Sequence, residues 1–130
     1  MAISKRQTTE QRRAKVAWQD VSEAKDKVGK GDQSEYKTRA KNLPAMIQIN
    51  GLGTAMAFLK SKPSKDAYQL IYRHLSKWVT SEGKYDDLMD MIRDVDMATY
   101  RRATTEAIEY AIWLKRYVES WGDVKESEDG

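Results

Sequence analysis

The stretch YRRATTEAIEYAIWLKRYVESW, residues 100–121, decides how the rest of the chain is read. Tyr100, Thr104, Ala107, Ala111, Leu114, Val118 and Trp121 recur at alternating steps of four and three. Those steps follow a helical turn of about 3.6 residues and put these side chains on one stripe. Ala103, Ile108 and Ile112 widen it. A half-buried strand would need strict alternation instead. The spacing therefore predicts a long amphipathic helix.

The same period runs upstream. A short helix over about 84–94 carries Tyr85, Leu88, Met89 and Ile92 on its stripe. Before it, Ala67, Leu70, Ile71, Leu75, Trp78 and Val79 predict a helix capped by Ser64 and closed near Glu82 by Gly83. Leu52, Ala55, Met56 and Leu59 predict another over roughly 51–61, stopped by Pro63. Tyr36, Ala40, Leu43 and Ile47 belong to a helix starting near Asp32 or Ser34. Pro44 lies inside that stripe, lacks a backbone donor, and predicts a kink or the start of a new helix. Ala14, Ala17, Val21, Ala24 and Val28 predict a first helix over about 9–28. Thr8 and Gln11 have capping-box spacing, and Gly29 and Gly31 supply left-handed C-terminal geometry. Strand signals are nearly absent. The expected fold class is all-α, a compact bundle of five to six helices. The expected organisation is a basic flexible N-terminus over 1–8, a single helical-bundle domain over 9–121, and an acidic disordered tail over 122–130.

The chain has 130 residues, enough for one domain with a real core. It has no cysteine, which excludes disulfides, zinc thiolate sites and cysteine nucleophiles. No apolar run approaches the roughly 20 residues that span a bilayer, and no signal-peptide core follows the basic start. The expectation is a soluble, cytoplasmic protein without membrane contact. Net charge is +3, but unevenly placed. Residues 119–130 contribute −4, leaving the rest at +7. A basic body with an acidic end permits a polyanionic partner without requiring one.

Motifs for catalysis or ligand binding are weak. The run NGLGT, 50–54, resembles half of a nucleotide fingerprint, yet a helix precedes it and neither a third glycine nor Gly-Lys-Ser/Thr completes it. Pro44, Gly51 and Gly53 read instead as devices for bending and close packing. His74, the sole histidine, sits beside the Leu70–Ile71–Leu75 stripe and reads as a boundary or surface residue. Asp86, Asp87, Asp90, Asp94 and Asp96 could in principle meet a hard cation, but their spacing matches no known loop, so a solvated acidic face is the simpler reading. Glu106 and Glu109 read as surface groups. Trp78 and Trp121 fall on inward stripes, whereas Trp18 and Trp113 lie off the seams and could be exposed contacts. Basic pairs recur at Arg12–Arg13, Arg39–Lys41, Lys60–Lys62–Lys65, Arg101–Arg102 and Lys115–Arg116. If several converged on one surface, they would form a phosphate-tracking groove.

Two segments carry a family likeness. The order Tyr36-x-x-Arg39-Ala40-x-x-Leu43-Pro44-Ala45-Met46-Ile47, then Asn50-Gly51-Leu52 and Ala55-x-Ala57-Phe58, resembles the small subunit of the Cmr (type III-B) CRISPR RNA-targeting complex. Tyr100-Arg101-x-x-Thr104-x-Glu106-Ala107 through Trp113-Leu114-Lys115-Arg116-Tyr117 resembles that family's last helix. The likeness spans about 9–121, while residues 1–8 and the acidic end match no pattern.

The resemblance implies a non-catalytic helical protein without a cofactor or small-molecule substrate. It would stack along a ribonucleoprotein in antiviral RNA-guided defence, touching other Cmr subunits, copies of itself, and guide and target RNA. On that reading Arg39, Lys41, Lys60, Arg101, Arg102, Lys115 and Arg116 are the expected RNA-binding residues. They would neutralise phosphates rather than read bases. No catalytic or metal-ligating residues are expected. Two other readings stay open: a helical module that binds only protein, and an enzyme whose carboxylates from the last two helices meet in a cleft.

Overall fold

A computed structural model describes residues 8–81 and 83–126. Capping explains where its first helix begins. The Thr8 hydroxyl accepts from the Gln11 N–H at 3.1 Å, and the Gln11 side chain accepts from the Thr8 N–H at 2.8 Å. This reciprocal pair opens α1, Thr9–Lys27. Val28 turns extended, and Gly29 becomes the N-cap of α2, Lys30–Asn50, at φ −70°. The left-handed exit expected from Gly29 is thus not used; the extended residues 28–29 make the turn.

α2 runs through Pro44 without interruption, so no break or new helix starts there. The proline removes the donor toward residue 40. Ala40, Leu43 and Ile47, all fully buried around it, hold the helix against the rest of the bundle. The break comes at Gly51 instead, at φ 88° and ψ 157°, the one positive φ among the described residues. That region is open essentially to glycine alone. α3, Leu52–Lys60, then leaves at a new angle, followed by α4, Asp66–Val79. α4 starts at the cap position Lys65, without a side-chain bond from Ser64. α5, Leu88–Asp94, and α6, Met97–Glu119, are N-capped by Asp87 and Asp96. These six helices, with no strand among the described residues, make the molecule all-α.

α6 is the axis of the bundle. α2 packs most extensively on it, α1 and α4 lie beside it, and α3 and α5 close one end. Tyr36, Leu43, Leu52, Met56, Leu59, Ile71, Leu75, Leu88, Tyr110 and Leu114 are fully enclosed. Removing this apolar area from water is the main force that holds the helices together. Trp121 is buried, as its stripe position predicts, and stacks on Tyr36 at 5.8 Å.

The packed chain continues past α6. Val124 is buried, and the Lys37 ammonium donates to the Trp121 carbonyl at 2.8 Å and the Val124 carbonyl at 2.7 Å. The tail expected over 122–130 therefore falls into two parts: 122–126 run against the bundle, and 127–130 lie outside the described residues, as do 1–7. Among the described residues no helix is long and apolar enough to cross a membrane.

Candidate nucleic-acid interface

α6 turns its buried stripe toward α2 and leaves its other side to water. Arg101, Arg102 and Arg116 are exposed there, and Lys115 is half-buried. At about 100° per residue, Arg101 and Lys115 lie about 40° apart around the helix, as do Arg102 and Arg116. The solvent side thus carries two basic stripes. Arg102 donates to the Thr99 hydroxyl at 3.1 Å, and the Arg116 guanidinium sits 5.6 Å from the Trp113 ring centre. None of these four cations forms a salt bridge among the described residues.

Arg101 and Arg102 share an open cavity of about 410 Å³ with Arg13, Thr105, Glu106 and Glu109. Arg13 grips Glu106 through two bonds of 2.6 and 2.9 Å, and Trp78 Nε1 donates to the same carboxylate at 2.9 Å. Burial pushes the Glu106 carboxyl up, but the bonds from Arg13 and Trp78 outweigh it and hold the group below the usual carboxylate range. The Glu106 bond in turn raises Arg13. Glu106 is therefore a half-buried joint between α1, α4 and α6 rather than the surface group expected from its spacing. Glu109 is exposed, as expected.

The other expected contacts stand elsewhere. Arg39 is buried on α2, 5.7 Å from the Tyr68 ring centre. It borders a groove of about 710 Å³ between α2 and α3 with Asn42, Met46, Asn50, Thr54 and Phe58. Lys41 is paired with Glu126, and Lys60 lies 3.6 Å from Asp87 and over the Tyr72 ring. The geometry thus brings Arg101, Arg102, Lys115 and Arg116 onto one helix. It engages Arg39, Lys41 and Lys60 with partners inside the fold.

His74 is where the structure departs furthest from the sequence reading. It is 1% exposed. Its Nδ1 is 3.0 Å from the Tyr36 hydroxyl and its Nε2 is 2.6 Å from Glu23. A carboxylate can only accept, so Nε2 carries the proton, Nδ1 is bare, and the Tyr36 hydroxyl donates to it. Burial lowers the His74 imidazole below its ordinary value, although Asp20 and Glu23 pull the other way. The bond from His74 holds Glu23 at about 2. Beside them Asp20, also buried, accepts from Tyr110 and from Lys77 at 3.0 Å. Burial pushes both Tyr36 and Tyr110 up. With both ring nitrogens engaged and the ring buried, His74 ties α1, α2 and α4 together. The signal was present: His74 follows Ile71 by three and precedes Trp78 by four, and Asp20 follows Ala17 by three, so both polar side chains sit on apolar stripes.

The aspartates also serve the fold. Asp87 caps α5 and accepts from Tyr72, Asp90 pairs with Arg93, Asp94 accepts from Tyr85, and Asp96 caps α6. Among the described residues no group of three or more His, Cys, Asp or Glu could hold a metal ion. At the NGLGT run, the Gly53 N–H donates to the Tyr100 hydroxyl at 3.1 Å, which ties α3 to α6. A methyl at Gly53 would meet that hydroxyl at 3.6 Å and Ile92 at 3.7 Å, ordinary contacts, so close packing does not require glycine there.

The chain is similar to known proteins over most of its length. The family described as CRISPR-associated protein (Cas_Cmr5) matches residues 9–121. "CRISPR system Cmr subunit Cmr5" of Thermus thermophilus is 30% identical over 107 residues, covering 82% of this chain and 90% of that protein. The subunit of the same name from Thermotoga maritima is 30% identical over 119 residues, covering 89% and 86%. The crystal structure of a CRISPR-associated Cmr5 family protein from Thermus thermophilus superposes with a TM-score of 0.74 at 28% identity, covering 88% of this chain and 97% of the other. The match begins on the first residue of α1 and ends on the buried Trp121. On that basis the chain belongs to the CRISPR-associated Cmr5 family.

Proposed function

We propose that this chain is the non-catalytic small subunit of a type III-B (Cmr) CRISPR effector, acting in RNA-guided antiviral defence. It stacks along the complex beside other Cmr subunits and copies of itself. Through α6 it neutralises backbone phosphates of guide or target RNA. The observation that carries this reading is the solvent side of α6, where Arg101, Arg102, Lys115 and Arg116 form no salt bridge among the described residues. Cations left to water on one helix can release counterions from a nucleic acid. Arg39, Lys41 and Lys60 are lesser contributors, because binding phosphate would mean giving up an internal partner. A non-catalytic role is supported by His74, whose two ring nitrogens are both committed to buried partners. One copy reaches few phosphates, so affinity comes from several copies held in one assembly.

Fluorescence anisotropy of the purified chain with single-stranded RNA, across a salt series, tests this. Binding should be weak and fall with salt. Arg101→Glu/Arg102→Glu should weaken it by at least about tenfold and lower the salt slope by about 0.7 for each phosphate no longer neutralised. Wild-type affinity and slope in the double variant would remove α6 as the interface. No binding at any salt would favour a protein-only subunit.

A further inference from the structure

We propose that Trp18 is a stacking platform for one unpaired nucleobase of a single-stranded RNA, an inference that rests on the RNA-contacting role above. Trp18 is 54% exposed on α1. The other large apolar side chains left to water among the described residues are Ile49 on α2 and Met97 at the start of α6. Neither is on α1, so the water-facing part of Trp18 is not joined along its own helix by a second exposed large apolar side chain of the kind that widens a protein interface.

The ring is held in place while remaining open to solvent. It meets the Tyr117 ring at 5.3 Å and 71°, and Tyr117 is fixed by donating to the Ala14 carbonyl at 3.1 Å. Trp113 backs Tyr117 at 5.6 Å, and Arg116 covers Trp113. A rigid aromatic ladder thus runs from α1 to the cationic side of α6.

Beside Trp18 lies a cavity of about 240 Å³ bordered by Val21, Ser22, Lys25, Asp26, Ser120 and Trp121. Its charges are largely matched, because Lys25 pairs with Asp123 at 3.0 Å and Asp26 lies alongside. The carboxylates disfavour a phosphate in the cavity itself. The Ser22 hydroxyl can donate or accept, while Asp26 and the Ser120 oxygen, whose proton goes to the Tyr117 carbonyl at 2.6 Å, can accept from the amino or imino edge of a neutral base. Cations for the flanking phosphates stand outside it: Lys15, one turn before Trp18 and exposed, and Arg116 at the far end of the ladder. An aromatic face with cations around it is the arrangement that binds single strands with little sequence preference.

The test uses the full chain and its Trp18→Ala and Trp18→Phe variants with a single-stranded RNA and a duplex of the same length, read by anisotropy. Loss of a stacked base is worth about 1–3 kcal/mol, so Trp18→Ala should weaken single-strand binding by about 5- to 150-fold. Trp18→Phe should keep most of the affinity. Duplex binding and the salt slope should not change, since every phosphate-neutralising cation stays in place. RNA should quench the tryptophan fluorescence of the wild type more than that of Trp18→Phe. Wild-type single-strand affinity in Trp18→Ala overturns the platform and leaves the α6 interface standing. Equal losses on single strand and duplex also overturn it. Unchanged RNA affinity with weakened self-association in sedimentation would make Trp18 a protein contact and overturn it as well. If the wild type binds neither RNA, this inference falls together with the reading it rests on.

Discussion

Burial lowers the His74 imidazole below its ordinary value of 6.5, while Glu23, bonded to it, drops from 4.5 to about 2. Both groups then bind a proton more readily in the unfolded chain than in the folded one. Such groups give stability that is complete above the unfolded value and is lost as pH falls. For His74 the loss begins as pH falls through about 6.5; for Glu23 it runs from about 4.5 toward 2. The thermal midpoint should therefore be level between about pH 7 and 9, below the tyrosine range, and decline on acidification, first over the histidine range. His74→Gln, whose amide can both donate to Glu23 and accept from Tyr36, should reduce the decline between pH 7 and 5. An identical pH profile in that variant would place the acid sensitivity elsewhere. The sequence reading put His74 near the surface because it flanks the Leu70–Ile71–Leu75 stripe; only its contacts show that Tyr36 and Glu23 satisfy both nitrogens.

Gly51 joins α2 to α3 at φ 88° and ψ 157°, where a Cβ collides with the local backbone in any L-residue. Gly51→Ala should lower stability by about 1–3 kcal/mol, read as the shift of a urea midpoint at constant slope. Gly53→Ala should be neutral or stabilise by up to about 1 kcal/mol, since the added methyl meets only ordinary contacts in a helix that disfavours glycine. Equal losses for the two variants would mean that packing against Tyr100, not backbone conformation, requires the glycines. At this scale the helical stripes were legible, because spacing repeats along the chain. The break between helices comes at Gly51 and not at Pro44, because buried neighbours can carry a helix across one missing hydrogen bond. A glycine's φ, by contrast, is set by where the next helix must go.

Across the whole molecule, Lys37 fastens the end of the chain to α2. Its ammonium is largely buried and donates to the carbonyls of Trp121 and Val124. Lys37→Met should leave both carbonyls unsatisfied and cost about 1–3 kcal/mol. It should also speed amide exchange over residues 121–126 more than over α4, as followed by mass spectrometry. Uniform exchange changes would show that Lys37 supports the bundle generally rather than its terminal segment.

The sequence by itself determined the fold class, the six helical segments and the apolar stripes, because each depends on spacing of about 3.6 residues within one stretch of chain. It also placed Arg101, Arg102, Lys115 and Arg116 on one helix for the same reason. The tertiary structure alone decided which cations stay open to solvent and which are drawn into the fold, as Arg39 is by Tyr68, Lys41 by Glu126 and Lys37 by the chain end. It alone decided that Asp20, His74 and Glu106 are joints between helices. Their partners lie on other helices, at sequence separations of 51 to 93 residues for the His74–Glu23, Tyr110–Asp20 and Arg13–Glu106 bonds. A helical period records which way a side chain faces, and it holds no information about the residue that will be waiting there.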